Sequence, residues 1–133
     1  MKVINKLFDR FRLSVIADPT DDTITLSPAL CRHTKVFDME KAETIVFMTP
    51  DKTYNFCFAP DDLPKDTATW PVQYNTQHHT VGFSCPLPTV NRIFYDYGFH
   101  TFEPRKLKVT EHRAADLVYY KLSPRHSRPY KFK

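Results

Sequence analysis

The chain has 133 residues, 41% hydrophobic and 26% charged, with 11 Pro and only 2 Gly. That length suits one domain, or two small halves sharing a core. Its apolar share is too high for a disordered chain, and no run approaches the roughly eighteen apolar residues of a membrane-spanning helix. Cys31, Cys57 and Cys85 are widely spaced and odd in number, which argues against a disulfide framework and for a reducing, cytoplasmic setting. The charged start MKVINKLFDRFR lacks the apolar stretch of a secretory leader.

Val3, Ile4, Leu7, Phe8 and Phe11 recur at helical spacing, so residues 2–10 read as a short amphipathic helix. Residues 12–17 (RLSVIA) then read as a strand ended by the turn cluster 18–22 (DPTDD), and the β-branched 23–27 (TITLS) as a second strand. Pro28 can open a short helical segment through Arg32, since a first helical position needs no N–H. Strands at 44–48 and 54–58 flank a Pro-Asp turn and make a hairpin. Residues 59–71, with three prolines and three acids, read as a linker or long surface loop.

Extended character resumes at 72–74 and 80–84. Val90, Ile93, Phe94 and Tyr97 share one helical face ahead of Gly98, which suits a left-handed C-terminal residue. Strands at 107–109 and 117–122 surround the polar stretch His112–Asp116 as a second hairpin, and 123–133 reads as a flexible basic tail. Strand, short helix and hairpin thus occur twice, at 23–58 and at 80–122. A unit of about forty residues buries too little apolar surface to fold alone. The expected fold is therefore a β-rich α+β single domain over 1–133, a small antiparallel barrel or curved sheet built from both halves.

The order of strand, Pro, helix with adjacent basic residues and hairpin resembles AbrB-like (SpoVT/MraZ-type) swapped-hairpin DNA-binding domains. The residues carrying the likeness are Leu26-Ser27-Pro28 with Cys31-Arg32 in the first half, and Leu87-Pro88 with Gly98-Phe99 in the second. Cys31 replaces one of the family's paired arginines, and Lys35 stands where the family has glycine. The resemblance implies that Arg32, Lys35 and Arg92 would reach phosphates or base edges.

Charge points the same way. Residues 1–79 hold nine Lys/Arg against eleven Asp/Glu, whereas residues 80–133 hold ten against four. Phosphate backbones favour such asymmetry because each neutralised phosphate releases counterions, although a solvated tail would show it too. Arg105, Lys106, Lys108, Arg113, Arg125 and Arg128 join Arg92 as expected nucleic-acid contacts.

Catalytic and metal readings are weak. His78-His79 are neighbours whose side chains diverge on an extended chain, no Cys or His spacing matches a zinc site, and two glycines cannot build a phosphate loop. Cys85 could act as a nucleophile only with an adjacent base or a helix N-terminus, which the Pro86-Leu87-Pro88 run does not offer. The paired carboxylates Asp21-Asp22 and Asp61-Asp62 sit in turns that Asp favours for its backbone hydrogen bonds. No cofactor, metal or catalytic residue is expected.

The sequence reads as a non-enzymatic nucleic-acid-binding protein, monomer or homodimer, such as a small transcriptional regulator or a mobile-element accessory protein. The alternative is an interaction or structural component of a phage or conjugative element. It would dock through the aromatics Tyr95, Tyr120, Tyr130 and Phe132.

Overall fold

Buried and less buried residues alternate along segments such as Thr23–Leu26 and Thr80–Ser84, and eight strands form in the computed structural model, which describes residues 12–60, 63–64, 66–75, 77, 80–85 and 90–131. The strands are β1 (Ser14–Asp18), β2 (Thr23–Leu26), β3 (Glu43–Met48), β4 (Tyr54–Phe58), β5 (Trp70–Asn75), β6 (Thr80–Ser84), β7 (Arg105–Ala114) and β8 (Leu117–Pro129). Two helices, α1 (Pro28–Thr34) and α2 (Val90–Tyr97), interrupt them, with a 3-10 turn at Val36–Asp38. The strands close into one barrel in the order β1-β2-β6-β5-β3-β4-β8-β7, every neighbour antiparallel. Closure pairs the backbone groups that an open sheet would leave at its edges. The expected β-rich barrel with short helices is the observed architecture.

The strand order is interleaved. The β3–β4 hairpin lies between β5 and β8, and the β7–β8 hairpin lies between β1 and β4. Exchanging β1 with β5, β2 with β6, β3 with β7 and β4 with β8 returns the same ring of neighbours.

The helices plug opposite mouths. Ser27 caps α1: its Oγ accepts the Leu30 N–H at 3.1 Å and the Ser14 N–H at 3.3 Å, which ties the helix to the start of β1. Lys35 closes α1 in the left-handed region (φ 57), and Leu30 and Cys31 face the core. At the other mouth the Val90 N–H of α2 meets Asp22 Oδ1 at 3.0 Å in the β1–β2 turn. Gly98 ends α2 at φ 76, where a side chain would be strained. Tyr97 fastens α2 to the barrel, its hydroxyl accepting the Tyr54 N–H and donating to the Leu122 carbonyl, each at 2.7 Å. Ser27→Ala removes an acceptor shared by a helix and a strand; it is expected to cost about 1 kcal/mol in a denaturant melt, and an unchanged midpoint would contradict that role.

Inside, Phe56 stacks on Tyr120 (centroids 5.2 Å apart, 30°) and meets Phe83 at 5.7 Å. Val15, Ile24, Leu26, Val81, Leu107, Val109 and Leu122 fill the space around them, and Ile93 and Phe94 close the α2 end.

Four expectations need correction. The segment from residue 123 is not a flexible tail as far as Pro129, because Leu107↔Ser127, Lys106↔Arg128 and Arg105↔Pro129 pair it with β7. The second hairpin turn is not His112–Asp116: the ladder runs to Ala114↔Leu117, leaving Ala115 (φ 54) and Asp116 as the turn. The loop read at 59–71 ends earlier, since Trp70 and Pro71 pair with Thr44 and Glu43. Tyr120 points into the core at 5% exposure and offers no docking surface. The helix expected at 2–10 lies outside the described residues.

Candidate functional site

On β7 the inward side chains are Leu107 and Val109, both buried, so Lys106, Lys108, Thr110 and His112 point outward. On β8, Tyr120 and Leu122 point inward, leaving Tyr119 and Lys121 on the outer face. The two rows combine through the register: Lys106 lies opposite Arg128, Thr110 opposite Lys121, and His112 opposite Tyr119. Between Leu107↔Ser127 and Val109↔Leu122 the register shifts, so Ser123, Pro124, Arg125 and His126 bulge opposite Lys108. One end of the ribbon's outer face therefore carries Lys106, Lys108 and Arg128, with the exposed Arg125 on the bulge.

The other end is aromatic. His112 lies nearly parallel to Tyr119 (21°, centroids 5.5 Å), and Tyr119 meets the edge of Phe47 from β3 at 5.5 Å. The Thr110 hydroxyl lies 2.9 Å from His112 Nε2 and holds the imidazole along the strand.

Like charges dominate the basic end. Among the described residues no carboxylate is within ion-pair distance of Lys106, Lys108 or Arg125. Partial burial, and then the neighbouring Arg128, hold the Lys106 ammonium below the usual lysine range. The nearby acids each have a basic partner, although Asp51 is held by the outward Lys121, opposite Thr110, and so lies on the same face as the row. Glu111 pairs with His33 of α1 at 3.0 Å on the opposite side of β7, and Asp51 pairs with Lys121 at 2.7 Å.

The other residues expected to bind nucleic acid are dispersed. Arg105 packs its guanidinium 4.3 Å from the Phe99 ring centre and donates to Ser127 Oγ at 2.9 Å, a structural bracket under the ribbon. Arg92, on α2, bonds Asp96 at 3.3 Å and lies over the Tyr95 ring, at the opposite mouth from Arg32 and Lys35 of α1. Arg113 is exposed near the β7–β8 turn, beyond the aromatic end. Of the expected docking aromatics, Tyr95 is 70% exposed. Tyr130 is half-buried, its N–H bonded to the Pro104 carbonyl at 2.8 Å. Phe132 and His78-His79 lie outside the described residues.

The thiols are poor nucleophiles. All three cysteines are buried, which pushes Cys31 and Cys57 up; burial and then Asp22 push Cys85 to about 12. Among the described residues no three His, Cys, Asp or Glu side chains gather as a metal site, and no helix is long and apolar enough to cross a membrane.

His112 and Tyr119 escaped the sequence reading. The sequence places His112 in a turn and offers Tyr120, not its neighbour Tyr119, as the outward tyrosine. Continuing the alternation of Leu107 and Val109 to residue 112 was the available signal, obscured by the polar run Glu111-His112-Arg113. No protein-family model matches the chain, and neither a curated protein nor a solved structure does.

Proposed function

We propose that the protein binds nucleic acid through the outer face of the β7–β8 ribbon, without catalysing a reaction. The observation that carries this reading is the direct cross-strand pair Lys106↔Arg128, with Lys108 and Arg125 beside it. Like charges held opposite one another repel, and phosphate oxygens accepted between them would relieve the repulsion. A small regulator or mobile-element accessory protein is the setting such a module suits.

The same proposal takes the chain as a fused pair of strand–helix–hairpin units related to AbrB-type domains. Its support is the ring of neighbours that survives exchange of the two sets of strands, with each hairpin inserted into the other set. Here, however, the contact residues move from the helices, where the resemblance places them, to the ribbon. A second reading, docking to another protein at the α2 mouth, has Tyr95 and the 52% exposed Phe102 in its favour.

The test is binding of a labelled oligonucleotide to the full chain over a series of salt concentrations. The expected result is a linear fall of log K with log salt, with a slope set by the number of phosphates neutralised. Absence of binding at low salt, or a flat salt profile, overturns the proposal.

A further inference from the structure

We infer that the ligand of the β7–β8 face is an unpaired nucleic-acid strand, with its phosphates on Lys106, Lys108, Arg125 and Arg128 and its bases on the His112–Tyr119 rings. This rests on the nucleic-acid reading above and adds the strandedness of the ligand and the residues that sense it.

The first argument is spatial. Successive outward side chains of a strand are about 7 Å apart, so Lys106, Lys108, Thr110 and His112 form a row about 20 Å long. An extended single strand has phosphates at a comparable spacing and can lie along that row, contacting about four nucleotides.

The second argument is chemical. Cations alone would accept a duplex equally well, since the phosphate backbone is present in both. Here the cations occupy one end of the row, and the other end carries His112, Tyr119 and Phe47, partly exposed on the outer sheet face. Aromatic rings on a sheet surface stack on bases only when those bases are not already stacked in a helix. The third ring, Phe47, meets Tyr119 edge-on and so supports that ring.

Of the outward side chains of β7, Thr110 alone carries a hydroxyl, and it is engaged with His112. The strand is therefore recognised by phosphate and base, and oligothymidylate and oligouridylate are expected to bind within about threefold of each other.

The test compares four labelled probes of about fifteen nucleotides with the full chain at fixed low salt: oligothymidylate, oligouridylate, a duplex and an abasic strand. Expected is tightest binding to the two single strands, with the abasic strand and the duplex each weaker by about tenfold or more. Tyr119→Ala should lose about tenfold on oligothymidylate and nothing on the abasic strand, whereas Tyr119→Phe keeps full affinity. His112→Ala provides a second reading should the first variant unfold, and the abasic comparison needs no variant. Equal binding of abasic strand and oligothymidylate, or a preference for duplex, overturns this inference and leaves the basic face standing. A greater than tenfold split between thymidylate and uridylate overturns the sugar-blind recognition. Failure of every probe to bind overturns the broader reading instead.

Discussion

Replacing Lys106, Lys108 and Arg128 together by glutamine is expected to weaken oligonucleotide binding about a hundredfold at 0.1 M salt. Each phosphate contact on a single strand contributes about 0.7 to the slope of log K against log salt, so three lost contacts flatten it by about 2. Extrapolated to 1 M salt, where counterion release no longer drives binding, wild type and variant should converge. One decade below that point the difference is about a hundredfold. The side chains concerned lie on the outer face, outside the barrel core, so the melting temperature should change far less than on loss of a core ring. Glutamine replacement of Arg105 provides the contrast: it breaks the contact with Phe99 and the bond to Ser127. An unchanged salt slope in the triple variant would mean that the ribbon is not the electrostatic footprint.

Phe56→Ala is expected to have the largest effect on stability, about 3–5 kcal/mol, because a fully buried ring is lost from the middle of a closed barrel. Phe56 touches Tyr120, Phe58 and Phe83, so its removal leaves a cavity between strands β4, β6 and β8 that cannot collapse without opening the ring of hydrogen bonds. For a chain of this size that corresponds to a fall in melting temperature of more than about 10 °C. Phe56→Leu should recover much of the loss, since most of the volume returns. A fall of only a degree or two on Phe56→Ala would show that the barrel interior is not the main source of stability.

The two variants separate binding from folding. The triple replacement acts outside the barrel and should change affinity alone; the ring deletion acts inside and should change the melt. That separation follows from β-strand geometry, in which adjacent residues such as Lys108 and Val109 face opposite sides.

Local signals in the sequence were sufficient for most elements. Alternation located the strand at 23–27, the intervening turn located those at 44–48 and 54–58, Pro28 marked the start of α1, and Gly98 marked the end of α2. Each of these depends on backbone preference or on burial within a few residues. The charge imbalance between residues 1–79 and 80–133 was equally legible, being a matter of counting.

Tertiary structure alone decided which cations share a surface and which tyrosine faces water. Arg105, Lys106 and Arg128 look alike in the sequence, yet Arg105 turns inward over Phe99 while the other two face each other outside. Tyr119 and Tyr120 differ only in the parity set by pairing with β7 and β4, and a shift of one residue would have exchanged them. The segment after Leu122 reads as an unstructured tail because its own residues favour no regular form; it becomes strand because β7 offers a ladder of unpaired donors and acceptors as far as Arg105. Pairing across long sequence separations is a property of the closed ring, and no local window contains it.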